Sequence, residues 1–449
     1  MKRYIVLILV GMLFLPSCSL YKKYESDATV DEKAMGDVVD AQDTTSIGDI
    51  DWRDIFTDPL LQQLIDKAFA NNTDMRTTQL TIEQAQNSLK SAKWGYAPTF
   101  AFAPQATFTY QGGNNSNSVL IPVTASWQLG IFGQTRSQIR KAKSQVAYYE
   151  DYRQAVQVSL AANVANIYYA LVMLDHELEL AEYFEGLYEE SYNSTQALYQ
   201  AGIYSSPAVY EMEASLEEVR VEIIDLRNSI LTTEASLCLL LAEPPHHIDR
   251  SKFEDFQMPE QIHVGLPARL LDARPDVRMA ERNMEIAYYS TQQARQDFYP
   301  NITISGLVGY GGTVDALDFI AQLVGELVQP IFQGGQLRAQ VRNAKKEQEK
   351  AELEFVQTLY NAGSEVYQYL HDCQAADEKA EHLELRVNAL QEAYSATTEL
   401  MNNGSTTYLE VLTAQESLLS AEFTRVQNQY EMIQAMINLY SALGGFGTK

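Results

Sequence analysis

Cysteine, basic residues and long apolar runs are all scarce in this 449-residue chain, and each scarcity excludes a class of protein. The three cysteines are Cys18, Cys238 and Cys373. So few cysteines do not form a disulfide framework, even in an oxidising compartment. We expect Cys238 and Cys373 to be buried thiols, although their spacing leaves a disulfide between them open.

Basic residues are outnumbered by acidic ones. The chain has 33 Lys and Arg residues against 59 Asp and Glu residues, which gives a formal net charge of -26 at pH 7. A protein that binds nucleic acid needs a basic surface to meet the phosphates. The charge therefore argues against a nucleic-acid partner.

Catalytic and metal-binding motifs are missing as well. The chain has no His-Glu-x-x-His pair, no Walker loop and no Gly-x-Ser-x-Gly elbow. His246, His247 and His263 lie close together in sequence, but solvated loop histidines are a more common arrangement than a metal site. We expect no enzymatic activity, no cofactor and no bound metal.

Residues 1–17 have the order of an export signal. A basic start precedes an eleven-residue apolar run, Ile5 to Leu15, which is too short to span a bilayer because a spanning helix needs about 20 residues. Leu15-Pro16-Ser17-Cys18 resembles a bacterial lipobox, in which the cysteine is lipidated and becomes the first mature residue. A plain cleaved signal is the alternative interpretation.

The segment after the signal, residues 18–50, is polar and shows no periodicity. We expect it to tether the folded body to a lipid anchor. No other stretch of the chain holds 18 uninterrupted apolar residues. The mature chain is therefore predicted to lack a membrane-spanning helix.

The rest of the chain is a duplication. The matching segments are Ile131-Phe132-Gly133-Gln134 with Ile331-Phe332-Gln333-Gly334, Tyr96–Phe100 with Phe298–Ile302, Ile167-Tyr168 with Val366-Tyr367, and Gly202 with Gly404. They lie 199 to 202 positions apart, so one structural unit was copied and both copies kept their length. The first repeat is predicted at 51–263 and the second at 264–449.

Each repeat has the same predicted order: a short helix, two strands, a long helix and another short helix. In the first repeat these elements are predicted from about Pro59 to Trp94, at 99–129, at 134–201 and at 208–242, and a proline-containing segment follows at 243–263. In the second they are predicted at 267–298, 301–332, 336–402 and 408–443.

The strand runs alternate apolar and polar residues, as Phe100, Phe102, Phe108 and Tyr110 illustrate. Their length suits a tilted membrane-spanning strand, which needs about 9–11 residues. A soluble hairpin fits the strands alone equally well. An open sheet of four strands has edges that cannot face lipid, so several chains would have to pool their strands. Three chains would supply twelve.

The long helical stretches contain no proline and show heptad-like spacing. The residues of this pattern are Leu353, Val356, Tyr360, Gly363, Tyr367 and Leu370, and then Leu383, Val387, Leu390, Tyr394, Thr397 and Met401. A helix of about 66 residues measures roughly 100 Å. We therefore expect an elongated helical rod with the strands at one end and two helix–helix turns at the other.

The run from Leu266 to Glu281, with Arg274-Pro275-Asp276-Val277 at its centre, closely resembles a signature of the outer membrane efflux proteins, the TolC/OprM/NodT-like family. Asn72-Thr73-Asp74-Met75-Arg76 is a weaker echo in the first repeat. Leu439 to Gly445 is similar to the family's C-terminal sequence. The resemblance extends from about Trp52 to Gly445.

This resemblance implies a mainly α fold with a β part. It implies a homotrimer in the outer membrane of a Gram-negative bacterium, with a twelve-stranded transmembrane barrel, a long α-helical barrel in the periplasm and an equatorial belt near Glu243–Leu266. Such a trimer is the exit duct of a tripartite efflux system. It joins a periplasmic adaptor and an inner-membrane pump, often of the resistance-nodulation-division (RND) class, and passes drugs, metal ions or other small molecules outward.

The resemblance also implies candidate site residues. Leu409 matches an apolar ring of the periplasmic aperture, Glu410 matches an acidic ring position, and Thr413 stands where the family usually has aspartate. The alternative is that Leu409 packs between helices and Glu410 is a solvated carboxylate. Gly202 and Gly404 are predicted to end helices in the left-handed conformation, at turns that meet the adaptor in the family.

Two other functions remain open at this point. One is a duct for polypeptides in type I secretion, and the other is a lipid-anchored periplasmic coiled-coil scaffold. The paired strands and the fixed repeat favour a channel over a scaffold. The cargo cannot be read from the sequence, because a duct takes what its pump delivers.

Overall fold

The computed structural model of the chain describes residues 23–25, 51–253, 274–313 and 316–445. The predicted signal, Cys18, most of the tether, His263 and residues 267–273 lie outside this part. In chain order the elements are α1 (Trp52–Ile55), α2 (Pro59–Asn71), α3 (Thr73–Trp94), β1 (Thr99–Phe102), β2 (Gln105–Gln111), β3 (Asn114–Leu129), α4 (Gln134–Gln200), α5 (Ser206–Leu240), α6 (Pro275–Gln296), β4 (Asn301–Thr313), β5 (Ala316–Val328), α7 (Gln336–Asn402) and α8 (Tyr408–Ala442).

The predicted fold class, mainly α with a β part, is confirmed. The chain divides into two compact units. One includes Leu80–Glu150 and Arg278–Gln357, and it contains all five strands. The other includes Asp151–Val277 and Thr358–Lys449 and is helical in the residues described.

The sheet has four strand positions, because β1 and β2 lie one after the other in a single position. Both pair antiparallel with β3, and the pairings Phe102↔Val123 and Gln105↔Leu120 belong to the same unshifted register. The interruption falls at Ala103-Pro104, opposite Ile121 and Pro122. Neither proline has an N–H to donate to its neighbour strand, which accounts for the gap.

The two repeats meet in the middle of this sheet. β3 of the first repeat pairs with β4 of the second, from Val119↔Gly312 to Leu129↔Ile302. β4 then pairs with β5, from Asn301↔Val328 to Thr313↔Ala316. Within the described residues the β1/β2 position and β5 each have a strand neighbour on one side only. The sheet is therefore open.

In the helical unit, α4, α5, α7 and α8 share one apolar core. Phe184 and Tyr188 of α4 contribute its largest fully buried rings. The buried row of α5 is Val209, Met212, Leu216, Val219, Ile223, Leu226, Ile230 and Leu237. Steps of three and four residues along such a row are those of helices that pack as in a coiled coil.

The second half of the heptad pattern predicted for α7 packs within the chain, whereas most of its first half is exposed. Val387 is buried in the core, and Leu390 and Tyr394 pack against it. Leu353, Val356, Tyr360 and Tyr367 are instead exposed, whereas the neighbouring row Phe355, Leu359, Ala362, Val366 and Cys373 is buried. The first half of α7 thus has two apolar rows, and the chain itself covers one of them.

The short helix predicted from Pro59 to Trp94 is two helices. Asn72 ends α2 with extended backbone angles, φ -58° and ψ 134°. Its side-chain oxygen accepts hydrogen bonds from the N–H groups of Asp74 and Met75, at 2.9 and 3.3 Å. This is the geometry of an N-cap, so Asn72 starts the next helix where it ends the previous one.

Asn72 and Arg274 occupy equivalent places in the two repeats. Asn72 Nδ2 donates to the carbonyl of Leu240 at the end of α5, at 2.9 Å. Arg274 Nη1 donates to the carbonyl of Ala442 at the end of α8, at 2.8 Å. Each bond satisfies a helix carbonyl that has no partner within its own helix. Donors and acceptors are both 202 positions apart, so the duplication preserved the bond with a different side chain.

Arg274 is also the centre of an ionic cluster. Its side chain is buried, and its guanidinium binds both carboxylate oxygens of Asp276, at 3.0 and 2.7 Å, and Glu365, at 2.7 Å. Burial acts to lower the pKa of Arg274, but the two carboxylates outweigh it and the net shift is upward. The Arg-Pro-Asp signature therefore fastens the start of α6 to α7 and α8.

A second buried arginine holds the segment after α5. Arg250 Nη2 donates to Asp175 of α4 at 2.7 Å, and its Nη1 donates to Glu234 of α5 at 2.6 Å. His247 Nδ1 lies 2.8 Å from the same Glu234 oxygen. Among the described residues, no group of three or more His, Cys, Asp or Glu side chains is placed to hold a metal ion.

Cys238 and Cys373 are both free and buried. Burial raises the pKa of Cys373 to about 11, which keeps it a thiol at neutral pH. Within the described part of the chain, α4 is the one helix long and apolar enough to cross a membrane, and 61% of its most apolar window is buried in the chain. Such burial is typical of a core helix.

We expect Arg274→Ala to lower the free energy of unfolding by about 2–3 kcal/mol. Removing one partner of a fully buried pair typically costs about 3–5 kcal/mol. The value should be lower here because Asp276 and Glu365 are 43% and 46% exposed and can regain water. Denaturant titration of the purified protein measures the loss.

Arg53→Ala is the matched control, since Arg53 pairs with Asp66 at the surface. Exposed pairs contribute about 0–1 kcal/mol. Equal losses in the two variants would show that Arg274 has no special place in the fold.

Candidate functional site

The sheet has one apolar face. Directly paired residues of antiparallel strands point to the same side, so the register assigns every strand residue to a face. One face carries Phe100, Phe102, Phe108, Tyr110, Val119, Ile121, Val123, Ala125, Trp127, Leu129, Ile302, Ile304, Val308, Tyr310, Leu317, Phe319, Ala321, Leu323 and Leu327. No charged side chain lies on this face of the described strands, and the amide Asn117, which pairs with Phe108, lies toward the hairpin end of β3.

Most of that apolar face is exposed, because no other described part of the chain packs on it. Phe108 and Leu323 are 74% and 79% exposed, and every residue of β5 is exposed. Tyr310 and Phe319, which pair directly, have ring centroids 5.9 Å apart. A contiguous apolar surface of this size marks contact with a membrane or another protein.

The opposite face is mostly polar. It carries Thr99, Thr107, Thr109, Ser118, Thr124, Ser126, Gln128, Asn301, Thr303, Ser305, Asp318, Gln322 and Glu326, together with several small and aliphatic residues. Gln128 Nε2 donates to Asn301 Oδ1 at 2.8 Å on this side. A wall with one lipid-like face and one wettable face is the arrangement of a transmembrane pore wall.

The strands are long enough for that role. β3 has 16 residues, and β4 and β5 have 13 each, whereas a tilted membrane strand needs about 9–11. The soluble-hairpin alternative would require a covering layer over the apolar face. No described element provides such a layer, because the large side chains listed above remain exposed.

The predicted turn glycines adopt the left-handed conformation, with φ +76° at Gly202 and +69° at Gly404. At the first turn the N–H of Gly202 donates to the Tyr199 carbonyl (2.9 Å), and the N–H of Ile203 donates to the Leu198 carbonyl (2.9 Å). At the second turn the N–H of Gly404 donates to the Met401 carbonyl (2.9 Å), and the N–H of Ser405 donates to the Leu400 carbonyl (2.8 Å). Both turns thus have the paired bonds of a Schellman motif. A side chain at either position would be strained, although space around it is open.

The two turns lie next to each other. The rings of Tyr204 and Tyr408 meet edge to face with their centroids 5.5 Å apart. The Tyr408 hydroxyl donates to Glu211 Oε2 at 2.5 Å, and this bond raises the pKa of Tyr408. Sequence patterns do not single out these three residues, since only the fold brings positions 204 and 408 together.

The candidate aperture residues lie in the first two turns of α8, and all three are exposed. Leu409 is 53% exposed and so does not pack between helices of its own chain. Thr413 stands one turn later and donates from Oγ1 to the Leu409 carbonyl at 2.8 Å. Glu410 accepts a hydrogen bond from the Thr406 hydroxyl. Its carboxylate is therefore engaged at the start of the helix.

A protein-family model described as "Outer membrane efflux protein" matches residues 64–243 and 266–445. The two matches begin and end 202 positions apart, the same spacing as Gly202 and Gly404. The family model thus recognises both repeats.

Curated relatives and a solved structure extend the likeness to most of the chain. The chain is 26% identical to the probable efflux pump outer membrane protein TtgC of Pseudomonas putida, over 88% of this chain and 84% of TtgC. It is 25% identical to the probable outer membrane lipoprotein SilC of Salmonella typhimurium, over 89% of each. It superposes on the open-state MtrE outer membrane channel of Neisseria gonorrhoeae with a TM-score of 0.82 at 26% identity, covering 95% and 97% of the two chains.

We predict opposite outcomes for lysine at two adjacent positions of β3. Val123 lies on the apolar face and Thr124 on the polar face. A lysine that faces lipid at the middle of a membrane costs about 2–4 kcal/mol, whereas one that faces water costs little. Val123→Lys should therefore lower the free energy of unfolding in liposomes by about that amount, and Thr124→Lys should leave it nearly unchanged.

Urea titration of the two variants in liposomes measures both values under the same conditions. If Thr124→Lys were the more damaging of the two, the face assignment would be reversed. Equal costs would mean that neither face meets lipid.

Proposed function

Since this chain belongs to the outer membrane efflux protein family, whose model matches both of its halves, we propose that three copies close a single pore through the outer membrane. The chain is an outer membrane channel that serves as an efflux exit duct. The trimer, the lipid anchor, the aperture and the partners are the proposed parts.

The open sheet supports the trimer. In a membrane, each unpaired N–H or C=O of the β1/β2 and β5 edges would cost several kcal/mol. Pairing the β5 edge of one copy with the β1/β2 edge of the next removes both edges once the ring closes. Three copies give twelve strands, a number between the packed eight-stranded barrels and the 16–18-stranded porins.

The helical unit also has surface for a second copy to cover. Tyr360 and Tyr367 of α7 are about half exposed, one row away from the buried Val366. On α5, Ile224 and Leu231 are exposed at a spacing of two helical turns. Apolar rows of this kind are suited to packing against a helix of a neighbouring subunit.

We further propose that the trimer meets a periplasmic adaptor and, through it, an inner-membrane pump of the RND class. The paired turns at Gly202 and Gly404 are the proposed adaptor contacts. TtgC is named as part of an efflux pump, which supports small-molecule efflux here. The duct adds no chemical step of its own, and the pump chooses the cargo.

The lipid anchor is proposed at Cys18, which follows the lipobox-like Leu15-Pro16-Ser17. SilC is named a lipoprotein. Acyl chains at this position would hold the chain at the outer membrane through the tether 18–50. They would add to the barrel's own hold on the bilayer, as two membrane signals anchor more stably than one.

For the periplasmic aperture we propose that Leu409 and Thr413 line the narrowest part. They lie on one face of α8, four residues apart, and both are exposed. Glu410 would add negative charge beside them, although Thr406 holds its carboxylate. Unchanged conductance and cation block in Glu410→Ala would remove Glu410 from the aperture.

The first experiment combines native mass spectrometry with single-channel recording of the detergent-extracted protein in a planar bilayer. We expect a trimer mass that includes acyl chains, and discrete conductance steps. Cys18→Ser should lose the acyl mass and still conduct. A folded, lipidated protein that never conducts would contradict the channel and support a periplasmic scaffold.

We predict that Gly404→Val impairs pump-dependent efflux in cells. The valine would sit at φ +69°, a conformation that costs an L-residue about 1–2 kcal/mol, and it would enlarge the turn proposed to meet the adaptor. A drug-accumulation assay at matched outer-membrane protein level measures the effect.

Gly186→Val is the control. Gly186 lies inside α4 with open space around its Cα, where a side chain is tolerated and improves on glycine. Normal efflux in Gly404→Val would contradict the role of the turn, as would equal impairment in both variants.

A further inference from the structure

The strands of the sheet carry charge of one sign only. Residues 99–129 contain no Asp, Glu, Lys, Arg or His. Residues 301–328 contain no basic residue and three acidic ones, of which Asp315 lies outside the described residues. The other two, Asp318 and Glu326, belong to β5.

Both carboxylates lie on the polar face. Asp318 pairs with Gly311, which offers no side chain, and Glu326 pairs with Thr303. Both acidic side chains are exposed. They are eight positions apart, which is about 26 Å along a strand. They stand at two levels of the wall, and no basic residue of the described strands can neutralise either one.

We propose that Asp318 and Glu326 make the membrane pore selective for cations over anions. This inference rests on the proposed trimer, in which the polar face lines the lumen and six carboxylates surround the water column. A lumen with walls of low dielectric constant focuses the field of such charges to potentials of several kT. A potential of about one kT already changes the cation-to-anion ratio roughly sevenfold, because the two ions respond in opposite directions.

The class of solute favoured by this wall is cationic: metal ions and positively charged organic molecules. Anionic solutes would meet two successive levels of like charge between the periplasm and the outside. Salt should weaken the selectivity, since the Debye length falls from about 10 Å at 0.1 M to about 3 Å at 1 M.

The test is the reversal potential of the full-length trimer in a planar bilayer under a KCl gradient near 0.1 M. Wild type should prefer K⁺ over Cl⁻. Asp318→Asn with Glu326→Gln should lower the permeability ratio at least about threefold, because it removes the fixed charge that sets the potential. The charge-conserving pair Asp318→Glu with Glu326→Asp should keep the wild-type ratio.

Gln322→Ala is the matched control, because Gln322 lies between the two acids on the same face of β5 and is uncharged. It should leave the permeability ratio unchanged. If the double variant forms no channels, Asp318→Asn and Glu326→Gln are compared singly, and each should show part of the loss.

An unchanged ratio in the neutralised variants would overturn the proposal and place selectivity in the helical part. A loss of selectivity in Gln322→Ala equal to that of the acid variants would also overturn it. Wild type that gives no conductance steps would instead overturn the proposed channel, and this inference with it.

Discussion

The need to hydrogen-bond every backbone group in a medium without water constrains the rest of this structure. The sheet has an apolar face suited to lipid but leaves the outer edges of β1/β2 and of β5 without a strand neighbour in the described chain. Hydrocarbon tolerates the first property and not the second. The proposed edge-to-edge closure between copies satisfies both conditions, because it keeps the apolar face toward lipid and pairs the two outer edges.

The duplication fits this constraint. Each repeat contributes one hairpin, and a lone hairpin is marginally stable at best. The β3–β4 pairing joins the two hairpins into one sheet, while α4, α5, α7 and α8 form a shared core elsewhere in the chain. The duplication thus doubles the number of strand positions in the sheet and brings helices of both repeats into one core.

Periodicity predicted most of the fold, because long helices and alternating strands leave strong patterns. Periodicity did not predict the structure where two apolar rows overlap in one helix, or where a single residue interrupts a helix or strand. The first half of α7 carries two apolar rows, and spacing does not say which of them meets a neighbour in the same chain. Pro104 and Pro122 interrupt one strand position only because the register places them near each other. Asn72 splits a helix through its side chain, although the apolar spacing around it continues.

The candidate site was predictable to a smaller extent. Glycine at Gly202 and Gly404 has a local meaning, and the backbone angles agree with it. The contacts that surround these turns are not local: Tyr204 meets Tyr408, and Tyr408 binds Glu211. The engagement of Glu410 by Thr406 is short-range, but several rotamers of both residues were compatible with the sequence.

The two helix ends at Leu240 and Ala442 are fastened by chemically different donors, and this has a consequence for salt tolerance. Asn72 is neutral, so its bond to the Leu240 carbonyl does not depend on nearby charges. Arg274 reaches the Ala442 carbonyl from within a cluster whose counter-charges, Asp276 and Glu365, are partly exposed carboxylates. Because dissolved ions screen exposed charges more than buried ones, high salt would weaken this cluster and loosen the second repeat before the first.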